Sequence, residues 1–369
     1  MNRPVEKEWT LRRRILGGIL GLIFRRDRGR RRLRPEEVGR ILLMRYDRLG
    51  DAIVTTPVIE ALHRLNDRVE IDVLAGPHNA RLLEADRRIS RVIVWDGSLP
   101  SLVGAIRTAR RRKYDLVLQL ILGKTTNPAI IAGLMSSDGR IVGRGNSYNR
   151  RLFDHFVGPP ESLHFADQTF GVLLAGIDFE RPPGMPDYRI DLPEEICRET
   201  GEILEKSGLE PGEWVLLNAS AGAEERSLGI ESGARLASGI AAIAAERGLR
   251  FAVSGAPTDR GRVNALAEAS GGAPLELPSV LHLCCAVGMA RLLVTPDTGP
   301  VHIASAVGTP VVAYYSEHDK PEGWSPRGVP SVVVVSRVHG AVESVPIEEV
   351  LQGVELLLDQ SDTRSGSIS

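Results

Sequence analysis

The sequence is short of cysteine: Cys197, Cys284 and Cys285 are the whole complement in 369 residues, an odd number with no paired spacing. Neither a disulfide framework nor a zinc site can be read from them, and all three are expected as small buried hydrophobes in a protein of a reducing compartment. Long apolar runs are missing too, since a bilayer-spanning helix needs about 20 such residues. The run Ile15–Phe24 covers ten residues and no small-residue cleavage site follows it, which argues against both a transmembrane helix and a secretory signal. A large net charge is likewise absent. The formal total is −1, yet residues 1–40 hold thirteen Lys/Arg against five Asp/Glu, so the basic charge is an N-terminal appendage on an acidic body. That distribution argues against nucleic acid as a partner. No G-x-G-x-x-G follows the first predicted strand, which argues against a hydride-transferring dinucleotide enzyme.

The remaining composition, 43% hydrophobic and 25% charged, is that of an ordinary globular protein, and the length suits two domains. In the appendage, residues 1–38, the apolar Ile15, Leu16, Ile19, Leu20, Leu22, Ile23 and Phe24 lie between Arg12–Arg14 and Arg25–Arg26. The pattern predicts an interfacial helix over residues 11–34 at an anionic membrane surface. A disordered basic tail, or a helix packed on the protein itself, fits the same residues.

From Gly39 onward, short β-branched and leucine runs alternate with amphipathic stretches, which predicts βαβ units and parallel sheets. Strands are expected at Ile41–Met44, Val69–Leu74, Val92–Trp95, Leu116–Leu120 and Ile141–Val142, then at Trp214–Leu217, Phe251–Ser254, Leu292–Thr295 and Val311–Tyr315. The proline-rich Arg181–Pro186 begins the linker, giving an N-terminal domain at 39–185 and a C-terminal domain at 186–345. A terminal helix and tail fill 346–369, with Pro346 at the start, Glu348 and Glu349 in the first turn, and fraying from Asp359.

Two clusters carry chemistry. Arg45-Tyr46-Asp47-Arg48-Leu49-Gly50-Asp51 directly follows the first strand, where open α/β sheets bind ligands. Gly50 permits a close turn that presents Asp51, and Pro57 suits the first turn of the helix that follows. Asp51 is either a reacting carboxylate or a simple helix cap. The second cluster, Val294-Thr295-Pro296-Asp297-Thr298-Gly299-Pro300-Val301-His302, again reads strand, polar turn, helix. Such a turn aims free N–H groups and the helix dipole at one point, which suits a pyrophosphate beside Thr298 and Gly299. His302, one turn on, is either a partner to that anion or a buried structural histidine.

Together, Gly50-Asp51-x5-Pro57 and Asp297-Thr298-Gly299-Pro300-x-His302-x-Ala304-x-Ala306-x-Gly308-Thr309-Pro310, with the trailing Trp324-Ser325-Pro326, resemble glycosyltransferase family nine, the lipopolysaccharide heptosyltransferases. The resemblance runs from about Ile41 to Leu358, and His164-x3-Gln168 looks like the family's segment joining the two halves. It implies an α/β GT-B fold, two doubly wound Rossmann-like domains facing each other across a cleft. It also implies an inverting, metal-independent transfer from a nucleotide sugar such as ADP-heptose to a lipopolysaccharide-type glycan, with no cofactor, on the cytoplasmic face of the membrane. Asp51 would then be the base, while Asp297, Thr298, Gly299 and His302 would hold the donor.

Departures from the family are informative. In the loop Asn218–Leu228, Ser220 keeps a hydroxyl for the donor, but Arg226 replaces the family's lysine and Leu228 its tryptophan. Arginine keeps the charge and adds a planar fork. Gln119 stands where the family often has aspartate, and with Lys124 it is expected on the acceptor side. The Gly255–Asp259 turn is expected beside the nucleoside, with Asp259 toward ribose or simply exposed. A different nucleotide sugar and acceptor, or a non-catalytic sugar-nucleotide binding protein, remain the alternatives.

Overall fold

The computed structural model describes residues 30–121, 127–144, 150–158, 164–222, 226–317, 321–338 and 341–365. The predicted interfacial helix over residues 11–34 lies, as far as residue 29, outside the described residues; residues 30–34 are not helical, because Leu33 is buried and its backbone bonds to Gly176 and Asp178. Among the described residues no helix is long and apolar enough to cross a membrane. The chain divides into two compact units, Met1–Pro186 and Asp187–Ser369.

The first unit runs β1 (Arg40–Arg45), α1 (Leu49–Leu65), β2 (Glu70–Ala75), α2 (Ala80–Glu84), β3 (Arg91–Val94), α3 (Leu99–Arg112), β4 (Leu116–Gln119), α4 (Asn127–Met135), β5 (Arg140–Arg144), β6 (His155–Val157) and α5 (Phe165–Gly176). Its sheet has the order β3-β2-β1-β4-β5-β6, with parallel pairing throughout. Ile41, Leu42, Leu43 and Met44 have no solvent exposure, as befits a central strand covered by helices on both faces. At the entry to β5 the backbone passes so close to Tyr114 that a Cβ on Gly139 would lie 1.9 Å from its carbonyl oxygen, so only glycine fits.

The second unit runs α6 (Glu194–Lys206), β7 (Trp214–Asn218), α7 (Ile230–Glu246), β8 (Arg250–Ser254), α8 (Arg260–Ser270), β9 (Ala273–Leu275), α9 (Val280–Met289), β10 (Leu292–Pro296), α10 (Gly299–Val307), β11 (Val311–Tyr315), α11 (Pro321–Trp324), β12 (Ser331–Val335) and α12 (Ile347–Ser365). Its parallel sheet has the order β12-β11-β10-β7-β8-β9. Counted within each unit the order is the same, 3-2-1-4-5-6, and it reverses between β1 and β4 in the first unit and between β7 and β10 in the second. Ligands of open α/β sheets bind beyond the carboxyl ends of the strands at that reversal.

Three expectations are corrected. Helix α1 begins at Leu49, so Gly50 and Asp51 lie in its first turn and Pro57 lies inside it. An interior proline leaves the carbonyl four residues back without its N–H; here the Thr56 hydroxyl donates to Ile53 O at 2.7 Å and compensates. Helix α12 does not fray at Asp359 but continues to Ser365, with Asp359 gripped by Arg247 at 2.8 Å. Cys197 on α6 and Cys285 on α9 are not separate buried thiols but a disulfide, with Cα atoms 5.3 Å apart across 88 residues of sequence. Cys284 is free and buried, as expected. The cysteine argument for a reducing compartment therefore falls.

Candidate functional site

In the first unit the charged residues of the β1–α1 turn gather around one guanidinium. Arg45, the last residue of β1, has no solvent exposure. Its Nε donates to Thr55 Oγ1 at 2.8 Å and its NH2 to Thr169 Oγ1 at 3.3 Å, which fixes the guanidinium between α1 and α5. Its NH1 is shared, 2.9 Å from Asp47 Oδ2 and 3.5 Å from Asp51 Oδ1. Thr55 in turn donates to the Asp51 carbonyl at 2.9 Å. Asp51 is the third residue of α1, where an acid suits the positive end of the helix dipole. Its carboxyl is perturbed as well. Burial pushes the Asp51 carboxyl up to about 6, with Asp47 adding to the rise and Arg45 and Arg48 opposing it.

Gln119 ends β4, paired in register with Met44 of β1, so it flanks the same sheet reversal as Asp51. It is buried, its Nε2 donates to Ile121 O at 2.8 Å, and its Oε1 has no partner among the described residues. Lys124 lies outside the described residues.

In the second unit the reversal is tied by Asn218 at the end of β7, whose Nδ2 donates to Thr295 Oγ1 of β10 at 3.0 Å. Ser220 follows, buried, with its Oγ accepting the Ala256 N–H at 2.7 Å. Gly255 makes room for it, since a Cβ there would lie 2.6 Å from Ser220 Oγ. Asp259 heads α8 without capping it through its side chain. Arg226 NH1 lies 3.5 Å from Asp297 Oδ2, so the loop after β7 reaches the turn after β10.

That turn opens α10. Thr298 is the N-cap in extended conformation, and its hydroxyl makes no capping bond. Pro300 has no N–H, and among the described residues nothing accepts the Gly299 N–H. The helix start therefore holds an unused donor together with the positive end of its dipole. His302, 3% exposed, has its ring 5.7 Å from that of Trp324 and 6.1 Å from that of Tyr188.

The family model for glycosyltransferase family 9 (heptosyltransferase) matches residues 105–350. The chain belongs to that family. Among solved structures it is similar to a family 9 glycosyltransferase from Veillonella parvula, with a TM-score of 0.73 and 21% identity over 87% of this chain and 97% of that one. It is also similar to the E. coli ADP-heptose heptosyltransferase II, TM-score 0.71 and 17% identity over 88% and 99%. The E. coli heptosyltransferase WaaC with ADP gives 0.67 and 16% over 86% and 99%. No curated protein sequence matches significantly. At these identities the structural likeness concerns the fold, which is GT-B with two Rossmann-like domains.

As a family 9 chain, the protein brings Ser220, Arg226, Asp297, Thr298, Gly299 and His302 to the carboxyl edge of one sheet, and Asp51 and Gln119 to that of the other. Sequence reasoning quoted Arg45 and Asp47 without giving them a part, and it did not single out Thr169 or Tyr188. Arg45 carried a signal all the same: a cation closing an apolar strand is buried with its partners or not at all. Among the described residues no group of three His, Cys, Asp or Glu is placed to hold a metal ion.

Proposed function

We propose that the protein is an inverting, metal-independent glycosyltransferase that moves a sugar, on the family pattern heptose from ADP-heptose, to a lipopolysaccharide-type envelope glycan. The observation that carries the reading is the Asp51 carboxyl, buried beside Arg45 and pushed up to about 6 at the ligand-binding edge of a family 9 sheet. A base of that pKa is ionised at neutral pH and still strong enough to take a proton from an acceptor hydroxyl attacking the anomeric carbon. The leaving diphosphate needs donors already in place. The open Gly299 N–H, the Thr298 hydroxyl, the Arg226 guanidinium and the His302 ring fit that part, and Asp297, braced by Arg226, fits the donor's hydroxyls. Ser220 and Asp259 suit the rest of the donor, and Gln119 and Lys124 the acceptor.

The same reading has the enzyme at the cytoplasmic face of the membrane, peripherally held through residues 11–29 by their apolar and arginine pattern. There the Cys197–Cys285 bond would be an exception among cytosolic proteins. Purified protein should transfer heptose from ADP-heptose to a truncated lipopolysaccharide core in the presence of EDTA, read by mass spectrometry. Transfer that stops with EDTA and returns with a divalent cation would refute the metal-free mechanism. Transfer of another sugar in preference would refute the donor.

A further inference from the structure

Two carboxylates compete for Arg45, and they do so unequally. The guanidinium cannot leave, because it is wholly buried and its Nε and NH2 are committed to Thr55 and Thr169. Its remaining NH1 lies 0.6 Å closer to Asp47 than to Asp51, a difference of 2.9 against 3.5 Å. A bond of 2.9 Å is a charge-assisted hydrogen bond, and one of 3.5 Å is a weak contact. Asp47 is equally committed, since its second oxygen, Oδ1, is buried with no hydrogen-bond partner among the described residues. Among the described residues Arg45 is therefore the cation paired with Asp47, and Asp47 offsets part of what Arg45 gives to Asp51.

We propose that Asp47 is a positioning residue: by taking the shorter bond from the buried Arg45 guanidinium, it leaves the neighbouring Asp51 carboxylate free to accept the proton of an acceptor hydroxyl. The inference rests on the reading of Asp51 as the base and adds the group that makes it one. Without Asp47, the full charge of Arg45 would fall on Asp51, hold it ionised to lower pH and weaken it as a base. Without Arg45, two partly buried carboxylates would face each other, and Asp51 would hold its proton to higher pH.

The other charges around Asp51 do not change this assignment. Arg48, on the same turn, lowers its pKa less than Arg45 does. Helix α5, packed on α1, brings His164, whose Nδ1 accepts the Ala166 N–H at 3.1 Å, and Asp167, paired with Arg181 at 3.2 Å. Neither ranks with burial, Arg45, Asp47 and Arg48 in its effect on Asp51. Gln119 from β4 and Asn79, which donates to the Arg45 carbonyl at 2.9 Å, are neutral.

The test uses the full-length protein with carboxyl-labelled aspartate, titrated by carbon NMR, the Asp51 resonance being assigned by its loss in Asp51→Asn. Asp47→Asn should lower the Asp51 midpoint by about 1 pH unit or more, and Arg45→Met should raise it by about 1–3 units, the ranges for losing a like or an opposite charge nearby. The acid limb of kcat/KM should move in the same two directions. Arg45→Gln, which removes the charge but keeps polar side-chain donors, serves if Arg45→Met fails to fold. Opposite shifts from two neighbouring substitutions are not produced by loosened packing. An unmoved or raised midpoint in Asp47→Asn, with turnover lost in Asp51→Asn, overturns the positioning role alone. Turnover kept in Asp51→Asn overturns the base assignment, and the positioning role with it.

Discussion

The two sheet edges meet the same local problem, a strand running into the first turn of a helix with N–H groups to spare, and they solve it in opposite ways. At the β1–α1 turn the chain places an acid of its own in the first turn: Asp51 sits in a network of one wholly buried arginine, two partly buried carboxylates and two threonines. At the β10–α10 turn Thr298 leaves the donors alone, Pro300 has none, and the Gly299 N–H stays open. On the proposed function, the helix start with a carboxylate in its first turn serves proton transfer and the one without serves the donor's diphosphate.

The contrast breaks most sharply at Asp51. Asp51→Asn keeps the size and hydrogen-bonding capacity of the side chain, so turnover should fall by roughly 10²–10⁴, the range for a lost general base. Nucleoside diphosphate binding, followed by calorimetry, should stay unchanged. A parallel loss of binding would show that the two turns are not separate in function.

A smaller effect is expected on the other side. Arg226→Ala should weaken nucleoside diphosphate binding by about 10–100-fold, the worth of a hydrogen bond to a charged group, and leave free nucleoside binding nearly unaltered. Equal losses for both ligands would return Arg226 to a bracing part against Asp297.

The smallest effect concerns stability, and its sign sharpens the comparison. The folded Asp51 pKa of about 6 lies above the ordinary 3.8, so its contribution to stability is fully present below about 4 and is lost as the pH rises through 6. Asp51→Asn should therefore stabilise the protein at pH 8, by of order 1–3 kcal/mol, with the gap closing as the pH falls toward 4. Thermal melts across that range measure it, and a gap independent of pH would contradict the burial argument.

Much of this layout was legible in the sequence because the deciding signals are local. Ile41–Met44 and Leu292–Thr295 are apolar runs that end in polar turns, and such runs are buried strands whatever surrounds them. The strands β6 and β9, three residues each, were not legible, since His155-Phe156-Val157 and Ala273-Pro274-Leu275 are too short to show a period. The start of α1 was missed because Pro57 reads as a first-turn residue, and the Thr56 hydroxyl that lets it sit inside depends on three-dimensional placement. The pairing of Cys197 with Cys285 depends on α6 lying against α9, which no spacing along the chain reveals. The site was legible as Asp51 and the Asp297–His302 turn. The competition for Arg45 was not, because Thr169 reaches it from 124 residues away.

All three cysteines belong to the second unit, and the disulfide among them closes a ring through β7, α7, β8, α8 and β9 before returning at α9. A ring of that size removes roughly 4–5 kcal/mol of disorder from the denatured chain in the entropic account. The second unit thereby carries a dependence on ambient thiols that the first unit, with Asp51, lacks altogether. Peptide-bond cleavage within the ring would also leave both fragments covalently joined, so a nicked second unit keeps its strands at hand for re-pairing.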